Sequence, residues 1–168
     1  DEMQYMLETY LDFSQTVSSE ENSIVNINEM IEEITETSKE KNKSIIFKSS
    51  CENHINHKCK YIALKRCIIN LVNNAKAYGD EIIISLSETN NEININIEDN
   101  GPGIKEKDYE KALKPFQRLD SSRNQNIAGS GLGLSISQDI IKTLNGNLSL
   151  SKSIIGGLKV EIQLPKNF

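Results

Sequence analysis

The sequence has no tryptophan, and only 5% of its residues are aromatic, so Ile, Leu and Val must supply the core. It has no apolar run of 18 or more residues, and its first residues carry neither a basic stretch nor an apolar one, so neither a membrane span nor a signal peptide is read here. Its three cysteines form an odd set without a C-x-x-C pair, which excludes a disulfide framework and fits a reducing compartment. Positive charge is not in excess: 19 basic against 24 acidic residues give −5, so a broad nucleic-acid surface is excluded. Any polyanion must instead meet a local basic cluster. What remains is a chain of 168 residues, 26% charged and 37% hydrophobic, the size and composition of one globular domain. It opens on Asp1-Glu2 inside a helical pattern without an initiator Met, and the expectation is a segment of a longer protein, with membrane spans among the possible missing parts. Leu164-Pro165-Lys166-Asn167-Phe168 reads as an end just past the last strand.

Met3, Met6-Leu7, Tyr10-Leu11 and Phe13 recur at helical spacing up to a polar stretch, Ser14 to Asn22. Such a stripe is covered either by a partner helix or by folding back on its own domain. Ile24, Val25 and Ile27 predict a short strand, and Asn28 a cap for a helix through Met30-Ile31 and Ile34. A strand at Ser44 to Ser49, a weakly patterned stretch to Lys60 and a helix from about Tyr61 to Ala77 follow. Glu81 to Glu88 and Glu92 to Asp99 alternate apolar and polar residues and form a hairpin through Thr89-Asn90-Asn91. Residues 100 to 130 are read as mostly mobile loop, followed by a helix from near Gly131 to Leu144 and strands Leu148 to Ser153 and Leu158 to Leu164. The mixture lacks strict βαβ alternation and predicts a mixed sheet with helices on one face.

Three clusters carry polar chemistry. Asn70 and Asn74 are one turn apart on a helix, with Tyr78 continuing the row. Their amides suit phosphate oxygens or a hydrated metal, and are equally what a solvated face of an Asn-rich chain presents. Asp99-Asn100-Gly101-Pro102-Gly103-Ile104 sets a carboxylate at a strand end beside backbone open to a flat ligand, although these residues also make plain turns. Gly129-Ser130-Gly131-Leu132-Gly133-Leu134 opens a helix, where free N–H groups meet the positive end of the dipole. Neither a Walker A nor a dinucleotide fingerprint is present. Between the glycine clusters lie Arg118 and Arg123, with Lys105, Lys107, Lys111 and Lys114 nearby. Cys51, His54, His57 and Cys59 are a candidate zinc set, but a strand-like stretch would splay these side chains.

Taken in order, Asn70-Leu71-Val72-Asn73-Asn74-Ala75, Asp99 to Ile104, Pro115-Phe116-Gln117-Arg118 and Gly129 to Leu134 resemble the N, first glycine, F and second glycine boxes of the sensor histidine kinase ATP-binding domain. The short F box, Asp120-Ser121-Ser122-Arg123 and the leading Met6-Leu7-x-x-Tyr10-Leu11-x-Phe13-Ser14 look like its osmosensor-type branch. The wider group includes type II topoisomerase, heat-shock chaperone and mismatch-repair ATPases. The resemblance implies a two-layer α/β sandwich of the Bergerat type with a mobile ATP lid from about Lys105 to Ala128. It implies ATP and Mg²⁺ as cofactors. Asp99 would accept from the adenine amino group, Gly101 and Gly103 would admit the ring, and Tyr78 would pack on it. Asn74 would give an oxygen to Mg²⁺, Asn70 would help hold phosphate or metal water, and Arg118 and Arg123 would reach the γ-phosphate. Ser130 and the amides of Gly131, Leu132 and Gly133 would hold the phosphate chain, and Ile104, Phe116 and Gly129 complete the boxes.

Two departures bear on the chemistry. The family often has Lys or Arg three residues after the second Asn, where this chain has Ala77; Lys76, about 100° away on the helix, reaches phosphate only if its stem swings round. The hydrolytic branches carry a general-base Glu where this chain has Asn70, which cannot take a proton, so transfer is favoured over hydrolysis. An acceptor histidine on a preceding hairpin is expected outside the chain, since His54 and His57 lack its context. Residues 1–20 are then the end of that dimerisation hairpin with a linker, and residues 21–168 the catalytic domain. The implied partners are a response regulator and, in the whole protein, a second copy. The implied location is cytoplasmic, below an inner-membrane sensor. An ATP-binding module without transfer and an ATPase of the wider group are the alternatives.

Overall fold

The computed structural model describes residues 2–115 and 133–166. Helix α1 (Glu2–Ser19) leads into strand β1 (Ser23–Asn26), helix α2 (Ile27–Ser38), and strands β2 (Ser44–Ser49) and β3 (Asn56–Cys59). Helix α3 (Tyr61–Tyr78) and the hairpin of β4 (Glu81–Glu88) and β5 (Glu92–Asp99) form the centre. A 3₁₀ turn (Glu106–Asp108), the short α4 (Tyr109–Ala112), α5 (Gly133–Thr143), β6 (Asn147–Lys152) and β7 (Leu158–Pro165) complete the described chain.

The sheet runs β2-β4-β5-β7-β6, parallel between β2 and β4 and antiparallel elsewhere, with β1 and β3 as a separate antiparallel ribbon. Period-two alternation turns Ile82, Ile84 and Leu86 of β4 and Ile93, Ile95 and Ile97 of β5 into one buried layer. Ile31 and Ile34 of α2, Leu64, Ile68 and Leu71 of α3, and Ile140 and Ile141 of α5 join the same core, while Asn94 and Asn96 point to the other face of the sheet. This is a two-layer α/β sandwich. The β4–β5 turn is held by Thr89, whose Oγ1 accepts from Asn91 N and Glu92 N.

Three local expectations change. The helix α2 cap is Asn26, not Asn28: Asn26 Oδ1 accepts from Glu29 N at 3.2 Å, and Ile27 is already helical. Asn28 is buried, accepts from Ile55 N at 2.8 Å and donates to Ser49 Oγ at 3.3 Å, pinning the segment before β3. The stretch before Lys60 contains β3, because His57 and Cys59 turn inward while its backbone pairs with β1. The start of the expected loop also has structure. Tyr109 and Leu113, one helical turn apart, pack α4 and its end against the body of the domain, and Ala112 between them is buried.

Helix α1 has two apolar faces. Phe13 and Val17 are buried in the common core, and the Arg66 guanidinium lies 4.9 Å from the centre of the Phe13 ring. Tyr10 OH donates to Asp139 Oδ2 at 3.0 Å, and Lys60 Nζ donates to the Val17 carbonyl at 2.6 Å. The Glu20 carboxylate accepts from Ile62 N at 2.5 Å and Ala63 N at 3.0 Å. It thereby caps α3, whose own preceding residue, Lys60, offers no side-chain cap. On the other face Leu7 and Leu11 stay 50% and 53% exposed.

Candidate functional site

Helix α3 points Leu64, Cys67, Ile68, Leu71, Val72 and Ala75 into the core, which leaves Asn70, Asn74 and Tyr78 in a half-buried row at its border. Among the described residues, neither the Asn70 nor the Asn74 amide has a hydrogen-bond partner. Two uncommitted carboxamides at four-residue spacing are available to a polar ligand. Tyr78 ends the helix, and its carbonyl abuts the first glycine cluster: a Cβ on Gly101 would stand 2.6 Å from Tyr78 O.

Strand β5 delivers Asp99 to this place. Asp99 as a residue is 4% exposed, and its Oδ1 accepts from Gly101 N at 2.9 Å and Leu158 N at 3.3 Å. Neither bond uses Oδ2. Burial pushes the Asp99 carboxyl above the ordinary carboxylate range, with these two backbone N–H groups pulling it back. The β6–β7 hairpin completes the clamp. Gly157 N donates to the Asp99 carbonyl at 3.0 Å, and a Cβ on Gly157 would overlap Asp99 Oδ1. Gly103 adopts φ +70, a left-handed conformation that its lack of a side chain permits, and Ile104 then packs against the core. Thus Asp99, Gly101, Tyr78, Asn74 and Asn70 form one continuous wall, with Gly103 and Ile104 at its edge.

Lys76 is not part of that wall. Its Nζ pairs with Glu40 Oε1 at 2.7 Å and donates to the Ser38 carbonyl at 3.0 Å, so it serves the end of α2. The Lys76 ammonium in turn holds the Glu40 carboxyl below its ordinary range. Gly133 is the first residue of α5. Phe116, Arg118, Arg123, Gly129, Ser130, Gly131 and Leu132 lie outside the described residues.

Sequence reasoning missed Gly157 altogether as a site residue, and read Leu158 only as the start of a strand and Asn100 only as part of a turn-forming run. The Gly156-Gly157 pair was the available signal. Of the cysteines, burial pushes Cys59 up to about 11 and Cys67 up to about 12, which suits inert core thiols. Burial lowers the His57 imidazole, and His54 Nδ1 lies 3.1 Å from Asn26 Nδ2. Among the described residues, no group of three or more His, Cys, Asp or Glu side chains could hold a metal ion. None of the described helices is long and apolar enough to cross a membrane.

The profile of the family described as histidine kinase-, DNA gyrase B-, and HSP90-like ATPase matches residues 59–167. The sensor histidine kinase GtrS of Pseudomonas aeruginosa is 41% identical over 107 residues, 64% of this chain and 22% of that protein. The solved histidine kinase domain of the Escherichia coli osmosensor EnvZ is 32% identical, with a TM-score of 0.65 over 88% of this chain and 89% of that one. The catalytic domain of histidine kinase ThkA is 28% identical, with a TM-score of 0.75 over 87% and 96%. The chain spans about a fifth of the length of curated relatives such as GtrS.

Proposed function

Because the chain belongs to the histidine kinase-, DNA gyrase B-, and HSP90-like ATPase family, we propose that it is the catalytic ATP-binding domain of a sensor histidine kinase. The observation that carries this is the single-sided clamp on Asp99. With Oδ1 committed to two backbone donors, Oδ2 is the oxygen that takes the adenine amino group. Gly101 and Gly103 keep the approach clear, and Tyr78 borders the base.

The residues present fit Mg²⁺ carried by the nucleotide. Asn74 offers a hard, neutral carboxamide oxygen without a partner among the described residues, and Mg²⁺ bound with phosphates needs few protein ligands. Asn74 would hold the ion, and Asn70 the phosphate or the water around it. When bound, Mg²⁺ offsets charge on the phosphate oxygens. Arg118 and Arg123 would reach the γ-phosphate and stabilise the charge on it as it is transferred, and Ser130 with the amides of Gly131 to Gly133 would hold the phosphate chain, roles supported by the resemblance of their boxes. Asn70 cannot act as a general base for water, which favours transfer over hydrolysis.

The acceptor is a histidine on a hairpin N-terminal to residue 21, of which α1 is the last part. Leu7 and Leu11, exposed on α1, supply the face that meets the rest of that hairpin. A response-regulator aspartate receives the phosphoryl group next, in a homodimeric parent whose kinase domain is cytoplasmic and whose sensor lies in the inner membrane. The test is to supply γ-labelled Mg-ATP together with the parent's histidine-bearing hairpin as a separate polypeptide. Acid-labile label on the hairpin is expected. Steady phosphate release without the hairpin points to an ATPase, and tight ATP binding without transfer points to a binding module.

A further inference from the structure

Asn100 lies between the carboxylate and the glycine that flank the adenine site, yet its side chain turns away from both. Its Oδ1 accepts from Asp80 N at 2.8 Å and Glu81 N at 3.0 Å, and its backbone N–H donates to the Glu81 carbonyl at 3.2 Å. Those acceptors and donors belong to the turn by which α3 passes into β4. Gly79 in the same turn donates to Ala75 O at 2.9 Å, and its carbonyl accepts from Lys43 Nζ at 2.9 Å. The two segments leave no room for a side chain between them: a Cβ on Gly79 would stand 2.8 Å from Asn100 Oδ1 and 3.1 Å from Gly101 N. One carboxamide oxygen therefore joins the strand end bearing Asp99 to the helix end bearing Tyr78, one and two turns beyond Asn74 and Asn70.

We propose that Asn100 is a positioning residue for purine selection, holding Asp99 in register with the α3 wall through its acceptor oxygen alone. The inference rests on the ATP-binding reading above. No hydrogen bond of the Asn100 amide nitrogen is found among the described residues, so only an acceptor is required at this position. Aspartate supplies that acceptor with the same length, and alanine does not. Without the tie, the two backbone N–H groups lose their partner, and Asp99 can shift relative to Tyr78.

The test is calorimetry of Mg-ATP and Mg-GTP binding to the 168-residue chain, its Asn100→Ala variant and its Asn100→Asp variant. It is run at mildly alkaline pH in ~0.15 M salt to screen the added charge, well below each melting midpoint. Asn100→Ala should lose about tenfold in ATP affinity with a smaller change for GTP, so that the ATP-to-GTP ratio falls. Asn100→Asp should restore both the affinity and the ratio. If the alanine variant does not fold, Asn100→Gln, whose oxygen sits one methylene further out, should show the same fall in ratio. An unchanged ratio in the alanine or glutamine variant overturns the proposal, as does an aspartate variant that falls as far as they do. A parent chain that binds no ATP overturns the ATP-binding reading itself, which separates the two failures.

Discussion

Asp99→Asn is a perturbation whose outcome the clamp dictates. Because Gly101 N and Leu158 N both donate to Oδ1, the replacement amide must keep its oxygen there, and its nitrogen is forced into the place of Oδ2. A donor then faces the adenine amino group, itself a donor. The loss of one hydrogen bond to a charged acceptor costs about 1.5–3 kcal/mol, or about ten- to a hundredfold in ATP affinity. The same nitrogen suits a purine with a carbonyl at that position, so GTP should lose less and the ATP-to-GTP ratio should fall. Stability should move the other way. Burial raises the folded carboxyl above its unfolded value, so the folded state binds the proton more tightly and stability declines as pH rises through the window between the two. Above that window the parent carries the cost of a buried charge that the amide lacks. The variant should therefore melt at or above the parent temperature at neutral pH without nucleotide, and ATP affinity of the parent should drop on acidification through the raised value. Calorimetry with both nucleotides, alongside thermal melting, reads all of this. Parental ATP affinity in the variant, or equal losses for ATP and GTP, would refute the reasoning.

Gly157→Ala should weaken ATP binding about tenfold or more and destabilise the fold by about 1–3 kcal/mol, because the added methyl overlaps Asp99 Oδ1 and its carbonyl; calorimetry and denaturant melts check both. Asn74→Ala should reduce the Mg²⁺-dependent part of ATP affinity about tenfold while leaving metal-free nucleotide binding near parental, as read by titrations with and without chelator. Lys76→Ala should lower the melting temperature by releasing Glu40 and the Ser38 carbonyl, with Mg-ATP affinity unchanged within about twofold; a large affinity loss at parental stability would return Lys76 to the phosphate site.

The helices and strands that build the wall were legible because their signals are local. The isoleucines of β5 alternate with Asn and Glu, α3 shows an inward stripe, and the glycines of residues 99–104 are next to the carboxylate they serve. The β3 strand was not legible, since Asn56-His57-Lys58-Cys59 has only a His and a Cys to bury and takes its conformation from pairing with β1. Asn26 and Asn28 present the same side chain two residues apart, and only a partner 27 residues away, Ile55 N, makes Asn28 an anchor and not a cap.

The remaining gaps share one physical form. Glu20 caps α3 from 42 residues away, Leu158 grips Asp99 from 59 away, and Asn100 holds the Asp80 and Glu81 amides from 20 and 19 away. In each case the recipient or donor is a backbone group that every residue possesses, so no side-chain pattern announces it. Lys76 is the converse, a visible cation whose role depends on where another helix ends. The side chains that would meet the nucleotide can be read from spacing, whereas the backbone ties that keep Asp99, Tyr78 and Asn74 in register arise only once the chain has closed. Substitutions at Gly157 and Asn100 should therefore damage nucleotide selection without any contact of their own to the nucleotide.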